Sequence, residues 1–166
     1  PLPVTTITTV RTSDRDIVKH LHKENWADVL DLATAFIGDG AATALTYQYK
    51  AKALASLGRS EEALAMCERS LELSTIDPHT HFLLGLVMLE LNKLEGAEAS
   101  FRKVIYLEWE FPEAHMQLGM LRARLGALKD AQKHLRKARS IVSSGEPGKL
   151  LHDGNGMTYE RLAEIL

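Results

Sequence analysis

The chain has 166 residues, 45% of them apolar and 25% charged, with a net charge of −2 and a pI near 6.4. That balance is ordinary for a globular protein, gives no basic footprint for nucleic acid, and contains no apolar run near the roughly 20 residues of a membrane span. The single cysteine, Cys67, cannot close an intramolecular disulfide, which fits a reducing cytoplasm.

Residues 1–12 (PLPVTTITTVRT) are rich in proline and β-branched residues and read as a linker. The chain opens on Pro1-Leu2-Pro3 without a methionine, as a piece of a longer protein would. Ser13 and Asp16 have capping-box spacing and start a helix near Asp14. Ile17, Val18 and Leu21, then Val29, Leu30, Ala33, Phe36 and Ile37, recur at helical spacing, and Gly38-Asp39-Gly40 closes this pair.

From there a 34-residue step governs the sequence. Pro78 returns as Pro112 and Gly85 as Gly119. Leu57, Leu91 and Leu125 form one ladder, and Ala63, Ala97 and Ala131 another. Leu73, Leu107 and Ile141 form a third, and Gly58, Asn92 and Gly126 a fourth. Windows 44–77, 78–111 and 112–145 each read as a helix pair whose first helix ends at Leu-Gly or Leu-Asn. Pro78 and Pro112 suit a first helical position, and Ser60 with Glu61 and Glu62 offers a capping hydroxyl and two carboxylates for the helix dipole. A helical glycine costs about 1 kcal/mol relative to alanine, so Gly85 and Gly119 imply close approach of a paired helix. Ala63, Ala97 and Ala131 supply the facing small surface, while Cys67/Phe101/Leu135 and Leu57/Leu91/Leu125 are expected to fill the space between helices. A Gly-rich loop over Ser143–Met157 and a last helix from Thr158 to Leu166 follow. Tyr159, Leu162 and Ile165 form a stripe on that helix that would cap the open end.

A 34-residue step with a small residue in each half is the mark of the tetratricopeptide repeat, a helix–turn–helix unit. The expected fold is therefore all-α, a tetratricopeptide-repeat solenoid of antiparallel helix pairs with a C-terminal capping helix. Its parts are a linker (1–12), an array (13–145, with a degenerate first repeat at 10–43), and a Gly-rich loop with the capping helix (146–166).

Little in the sequence suggests chemistry. His20 and His22 sit two apart on a helix and diverge. His81 and His115 occupy one structural position in consecutive repeats and read as packing. Gly154-Asn155-Gly156 lacks the spacing and the preceding strand of a phosphate loop. Cys67 stands in a core column. No catalytic, metal or cofactor residue is expected in this segment.

The surface left for function is the inner face of the first helices, which in stacked pairs is concave. By exclusion from the packing columns it comprises Gln48, Lys52, Ala55 and Ser56, then His79, Phe82, Leu86, Leu89 and Glu90, then Glu113, Met116, Gln117, Met120 and Arg124. Methionines beside phenylalanine and leucines suit an adaptable groove for a helix or peptide. Only Lys52 and Arg124 are cationic and asparagines are absent, so a clamp for a chaperone's terminal carboxylate is not expected.

The runs His81-Phe-Leu-Leu-Gly-Leu, Arg102-Lys-Val-Ile-Tyr-Leu and Phe111-Pro-Glu-Ala-His, with Ala63-Leu-Ala-Met-Cys-Glu-Arg-Ser-Leu before them and Gly156-Met157-Thr158 to Leu162 behind, cover much of residues 44–166. Together they resemble the C-terminal repeats of CheR-type chemotaxis-receptor methyltransferases, with Trp109-Glu110 where that family has Asp-Pro. The resemblance implies a docking or regulatory module of an enzyme that methylates receptor glutamates. It places the S-adenosylmethionine site in an upstream domain and makes a chemoreceptor cytoplasmic helix or another signalling protein the expected partner. A scaffold or secretion-type adaptor without a methyltransferase, and a self-association module, are the alternatives.

Overall fold

The computed structural model describes residues 16–151 and 157–166. The expected linker at 1–12, the Ser13 cap, the helix start near Asp14 and the Gly154-Asn155-Gly156 segment lie outside the described residues. Among the described residues the chain is helical apart from turns and one isolated β-bridge. It divides between Leu91 and Asn92 into two units.

The first unit holds residues 16–22 (α1), α2 (Trp26–Gly38), α3 (Ala44–Ser56), α4 (Ser60–Leu73) and α5 (Pro78–Glu90). Gly40, at φ 68°, turns the chain after α2. A reciprocal capping box then opens α3: the Thr43 hydroxyl accepts from the Thr46 amide at 3.2 Å, and the Thr43 amide donates to the Thr46 hydroxyl at 3.1 Å. At α4 the expected cap is not formed. Arg59 holds the N-cap position without a side-chain cap, and Ser60 is already the first helical residue. Glu61 and Glu62 do fall in the first turn, and the Arg59 guanidinium grips Glu62 through two bonds of 2.7 Å. α5 begins with Pro78 behind Asp77, whose carboxylate accepts from the Thr80 amide at 2.8 Å. Two apolar clusters result. Ile17, Val29, Ala33 and Ala53 close α1–α3, while Ala51, Leu54, Ala63, Leu64, Cys67, Leu83, Leu84 and Val87 close α3–α5.

The second unit holds α6 (Leu94–Leu107), α7 (Pro112–Arg124), α8 (Leu128–Ser144) and α9 (Tyr159–Ile165). Phe101, Val104, Phe111, Ala114, Leu118 and Leu121 are buried in it. Gly119 is required by packing, because a Cβ there would sit 2.8 Å from Leu135 Cγ and 3.2 Å from the Ala131 carbonyl oxygen. After α8, the Leu151 amide donates to Met157 O (2.9 Å) and the Tyr159 amide to Lys149 O (2.8 Å), around an antiparallel bridge between Leu150 and Thr158. Thr158 caps α9 by accepting from the Arg161 amide. Tyr159 and Leu162 are buried against Ile141, Val142 and Leu151. Ile165 does not complete the stripe and is 61% exposed. At about 100° per residue it lies about 120° from Tyr159, whereas Leu166 comes back into line and joins the cluster.

The turn column recurs in the backbone. Gly58 (φ 75°), Asn92 (φ 55°) and Gly126 (φ 81°) are all left-handed, the conformation that glycine and asparagine tolerate best. Of the leucines just before them, Leu91 packs against the α3–α5 cluster as expected, whereas Leu57 and Leu125 are not inter-helix filling. Leu57, Leu91 and Leu125 are the C-cap residues of α3, α5 and α7, where the chain leaves the helix for the turn, and Leu57 and Leu125 are exposed.

Candidate functional site

In the first unit the expected surface falls on α3 and α5. Gln48 Nε2 donates to Asp77 Oδ2 at 2.8 Å and to Thr80 Oγ1 at 3.0 Å. The buried Ser70 hydroxyl donates to the Ala44 carbonyl at 2.8 Å and lies 3.3 Å from Thr80 Oγ1. Gln48 is thus one arm of a polar lock joining α3, α4 and α5. Phe82 is 3% exposed and belongs to the core rather than to a groove wall. Lys52, His79, Leu86 and Leu89 are half-buried, with His79, Leu86 and Leu89 at helical spacing along α5.

In the second unit α7 carries the remainder. Met116 packs against the Ile141–Tyr159–Leu162 cluster, so part of its surface belongs to the C-terminal cap. Glu113 is buried, Gln117 is half-buried, and Met120 is 55% exposed. Arg124 donates to Asn92 Oδ1 at 3.2 Å. Next to this row, Glu98 on α6 receives Arg102 at 2.9 Å and also pairs with Arg122 of α7.

The repeated histidines are held by one device. His81 Nε2 meets the Thr75 carbonyl at 3.1 Å, and His115 Nε2 meets the Trp109 carbonyl at 3.0 Å. A carbonyl only accepts, so each Nε2 carries the proton. Neutral His115 therefore presents Nδ1 as an acceptor, and His134 Nδ1–H donates to it at 3.2 Å. Burial holds His115 below the ordinary imidazole range, against the Trp109 carbonyl, with His134 and Lys137 adding to the depression. His134 is lowered too, by burial first and then by Lys133, Arg102 and Arg122, with Asp130 opposing.

Burial, with help from Glu68, pushes the Cys67 thiol up to about 12, so it is not a nucleophile at neutral pH. Among the described residues no group of three or more His, Cys, Asp or Glu side chains could hold a metal ion. Nor, among those residues, is any helix long and apolar enough to cross a membrane. Asp77, Thr80 and Ser70, which build the lock, and His134 were not singled out by the sequence. The signal for the first two was Asp-Pro followed by threonine at the third position of a helix.

A profile for the tetratricopeptide repeat matches residues 44–76 and 78–108. The fold is that of tetratricopeptide repeats. Among solved structures, MamA from Desulfovibrio magneticus RS-1 (residue 41 to its end) aligns with a TM-score of 0.74 at 18% identity, over 82% of this chain and 77% of that one. YrrB, described as a tetratricopeptide-repeat protein with an unusual peptide-binding site, aligns with a TM-score of 0.68 at 21% identity, over 75% of this chain and 64% of that one. The first such domain of Spaghetti (RPAP3), bound to the HSP90 peptide SRMEEVD, aligns with a TM-score of 0.59 at 18% identity, over 62% of this chain and 82% of that one. At these identities the likeness establishes the fold alone. No curated protein matches the sequence.

These neighbours correct the resemblance to CheR-type methyltransferases: the repeats align with MamA and YrrB, not with the enzyme family. The physical reason lies in the shared letters. Gly119 is fixed by Leu135 and Ala131, and Ala97 and Phe101 are fully buried. Such residues report how one helix packs on the next and would recur in any array of this fold.

Proposed function

We propose that this chain is a non-catalytic protein-docking scaffold that presents its first helices to a peptide or helix of a partner protein. The observation that carries the reading is apolar surface left on those helices beyond their packing needs. Met120 stands 55% exposed beside Gly119, which is pressed against Leu135, and Leu86 and Leu89 are half-buried along α5. Exposed methionine is suited to adaptable recognition because its flexible, polarizable side chain refits to different partners. Two of the structural neighbours, YrrB and the Spaghetti domain, are described with a peptide-binding site or a bound peptide, which supports a protein ligand of that kind.

The test is capture of partners from the native lysate by the full chain, with Leu86→Glu and Met120→Glu variants and Glu61→Lys as a surface control. The expected result is a set of proteins retained by wild type and control and reduced about tenfold by each charge insertion, the loss typical of a buried contact worth about 1.4 kcal/mol. An identical captured set for all four chains would falsify the reading. The peptide SRMEEVD serves as a second arm. Of the two cations on these faces, Arg124 already donates to Asn92, so binding of that acidic peptide is expected to be weak and insensitive to Arg124→Ala.

A further inference from the structure

The most positively charged element of the second unit is α8, and among the described residues its cations meet no carboxylate at close range. Lys129, Lys133, Arg136, Lys137 and Arg139 share the helix with one acid, Asp130. Elsewhere five arginines meet a carboxylate at close range, Arg59 with Glu62, Arg69 with Glu72, Arg102 and Arg122 with Glu98, and Arg161 with Glu164, while Arg124 bonds to Asn92. Lys137 lies over the Trp109 ring at 3.9 Å. Among the described residues, no carboxylate pairs with Lys129, Lys133, Arg136 or Arg139.

Two of these cations, Arg136 and Arg139, border a depression that is partly apolar. Gln132, Leu135, Arg136 and Arg139 of α8 line an open cavity of about 200 Å³ together with Leu166. Leu128, one turn before Gln132, is 63% exposed on the same stripe. Arg136 Nε donates to the Gln132 carbonyl at 3.2 Å, which fixes one edge of the guanidinium and leaves the other for a ligand.

We propose that this face of α8 docks an acidic amphipathic segment of a partner protein, its apolar side chains over Leu135 and Leu166 and its carboxylates on Arg136 and Arg139. The surface shares no residue with the faces of α5 and α7 proposed above. A protein segment suits it better than the other anionic macromolecules. A nucleic-acid backbone brings phosphates but no aliphatic side chains for a leucine-floored cavity. A membrane-surface helix projects a row of bulky apolar groups outward, whereas here Leu135 and Leu166 line a recess together with Arg136 and Arg139. Arginine fits carboxylates through paired N–H groups, and unpaired arginines beside apolar pockets are the usual anchors of protein interfaces.

The probe is a labelled peptide of about 18 residues, five helical turns, with leucines on one face and glutamates beside them. Three comparisons accompany it: a scrambled peptide of the same composition, a peptide with lysine for glutamate, and vesicles of phosphatidylserine and phosphatidylcholine. With the full chain, the ordered acidic peptide should bind and the scrambled and lysine peptides should bind at least tenfold more weakly. Arg136→Ala/Arg139→Ala should cost about tenfold without altering the melting curve, since both side chains are exposed. Arg136→Lys/Arg139→Lys should fall between, and Leu86→Glu/Met120→Glu should change nothing. Equal binding of the scrambled peptide, retained affinity in the alanine variant, or cosedimentation with vesicles in place of peptide binding would each overturn the assignment.

Discussion

Thr80 in the first unit and Ala114 in the second stand at the same point of the 34-residue step, as do Ser70 and Val104, and Asp77 and Phe111. In the first unit these positions make a network of hydroxyls and an amide around one carboxylate: Gln48, Asp77, Thr80 and Ser70. In the second they are apolar and buried, and the polar ties move to His115 with His134 and to Glu98 with Arg102 and Arg122. The same helix–turn–helix backbone is thus closed by two chemistries. One gathers neutral donors on a single carboxylate; the other uses an imidazole pair and an ion pair.

The column Cys67/Phe101 gives the largest contrast. Both side chains are fully buried, but the second unit commits a whole aromatic ring where the first uses a thiol. Phe101→Ala should cost about 3–5 kcal/mol, because the removed ring leaves a cavity that its neighbours fill only in part. Cys67→Ala should cost about 1 kcal/mol, the usual size of a point change. Denaturant unfolding of both variants checks this, and equal losses would mean that the two positions are not equivalent in packing.

The polar lock is the next most sensitive. Thr80→Val keeps the shape but removes a buried hydroxyl that Gln48 donates to and that meets Ser70 and Asp77, which should cost about 1–3 kcal/mol. The double change Thr80→Val/Gln48→Leu should recover part of that loss, as the apolar register of the second unit implies. Failure of the second substitution to recover anything would show that the lock holds geometry and not merely hydrogen bonds.

Proton dependence separates the units further. His115 and His134 have folded-state affinities for protons below the ordinary imidazole value of 6.5. The unfolded chain then binds protons first as pH falls, so their contribution is fully present above that value and is lost as pH drops through the folded values. Their Nδ1–Nδ1 bond accommodates one added proton but not two, because two donors would then face each other at 3.2 Å. Melting curves between about pH 7.5 and 5.5 should fall more steeply for the wild type than for His115→Gln/His134→Gln, in line with imidazole titration near 6.5. Parallel curves would remove the titratable character assigned to the second unit.

What the sequence made legible follows the same division between repeated and local features. The 34-residue ladders marked the helices, the left-handed turn at Gly58, Asn92 and Gly126, and the close approach at Gly119, since each is a backbone requirement that recurs with the backbone. The same ladders misplaced Leu57 and Leu125, because a C-cap recurs as faithfully as a core position does. The candidate faces were legible only as helix positions. That Phe82 is core, that Gln48 is held by Asp77 and Thr80, and that Met116 is shared with the C-terminal cap depend on contacts between distant helices, for which single positions carry no mark. His134 was invisible for a further reason: one repeat earlier its place is taken by Ser100, whose hydroxyl donates to the Gly96 carbonyl of its own helix, so no histidine recurs in that column.

Salt provides the smallest and sharpest test of the contrast. Glu98 lies between Arg102 and Arg122, and the Arg122 pair is only about one-fifth exposed on either side. Glu98→Gln should therefore cost about 1 kcal/mol, near the top of the range for surface pairs, because one guanidinium loses its counter-charge in a partly sheltered place. In 1 M salt the screening length falls to about 3 Å, so the difference between wild type and Glu98→Gln should shrink by about half. The cost of Thr80→Val should move less, since what Gln48 loses there is a bond to a neutral hydroxyl rather than a counter-charge. If salt reduced both costs alike, the two networks would be electrostatically equivalent. The distinction between the units would then rest on the histidine pair alone.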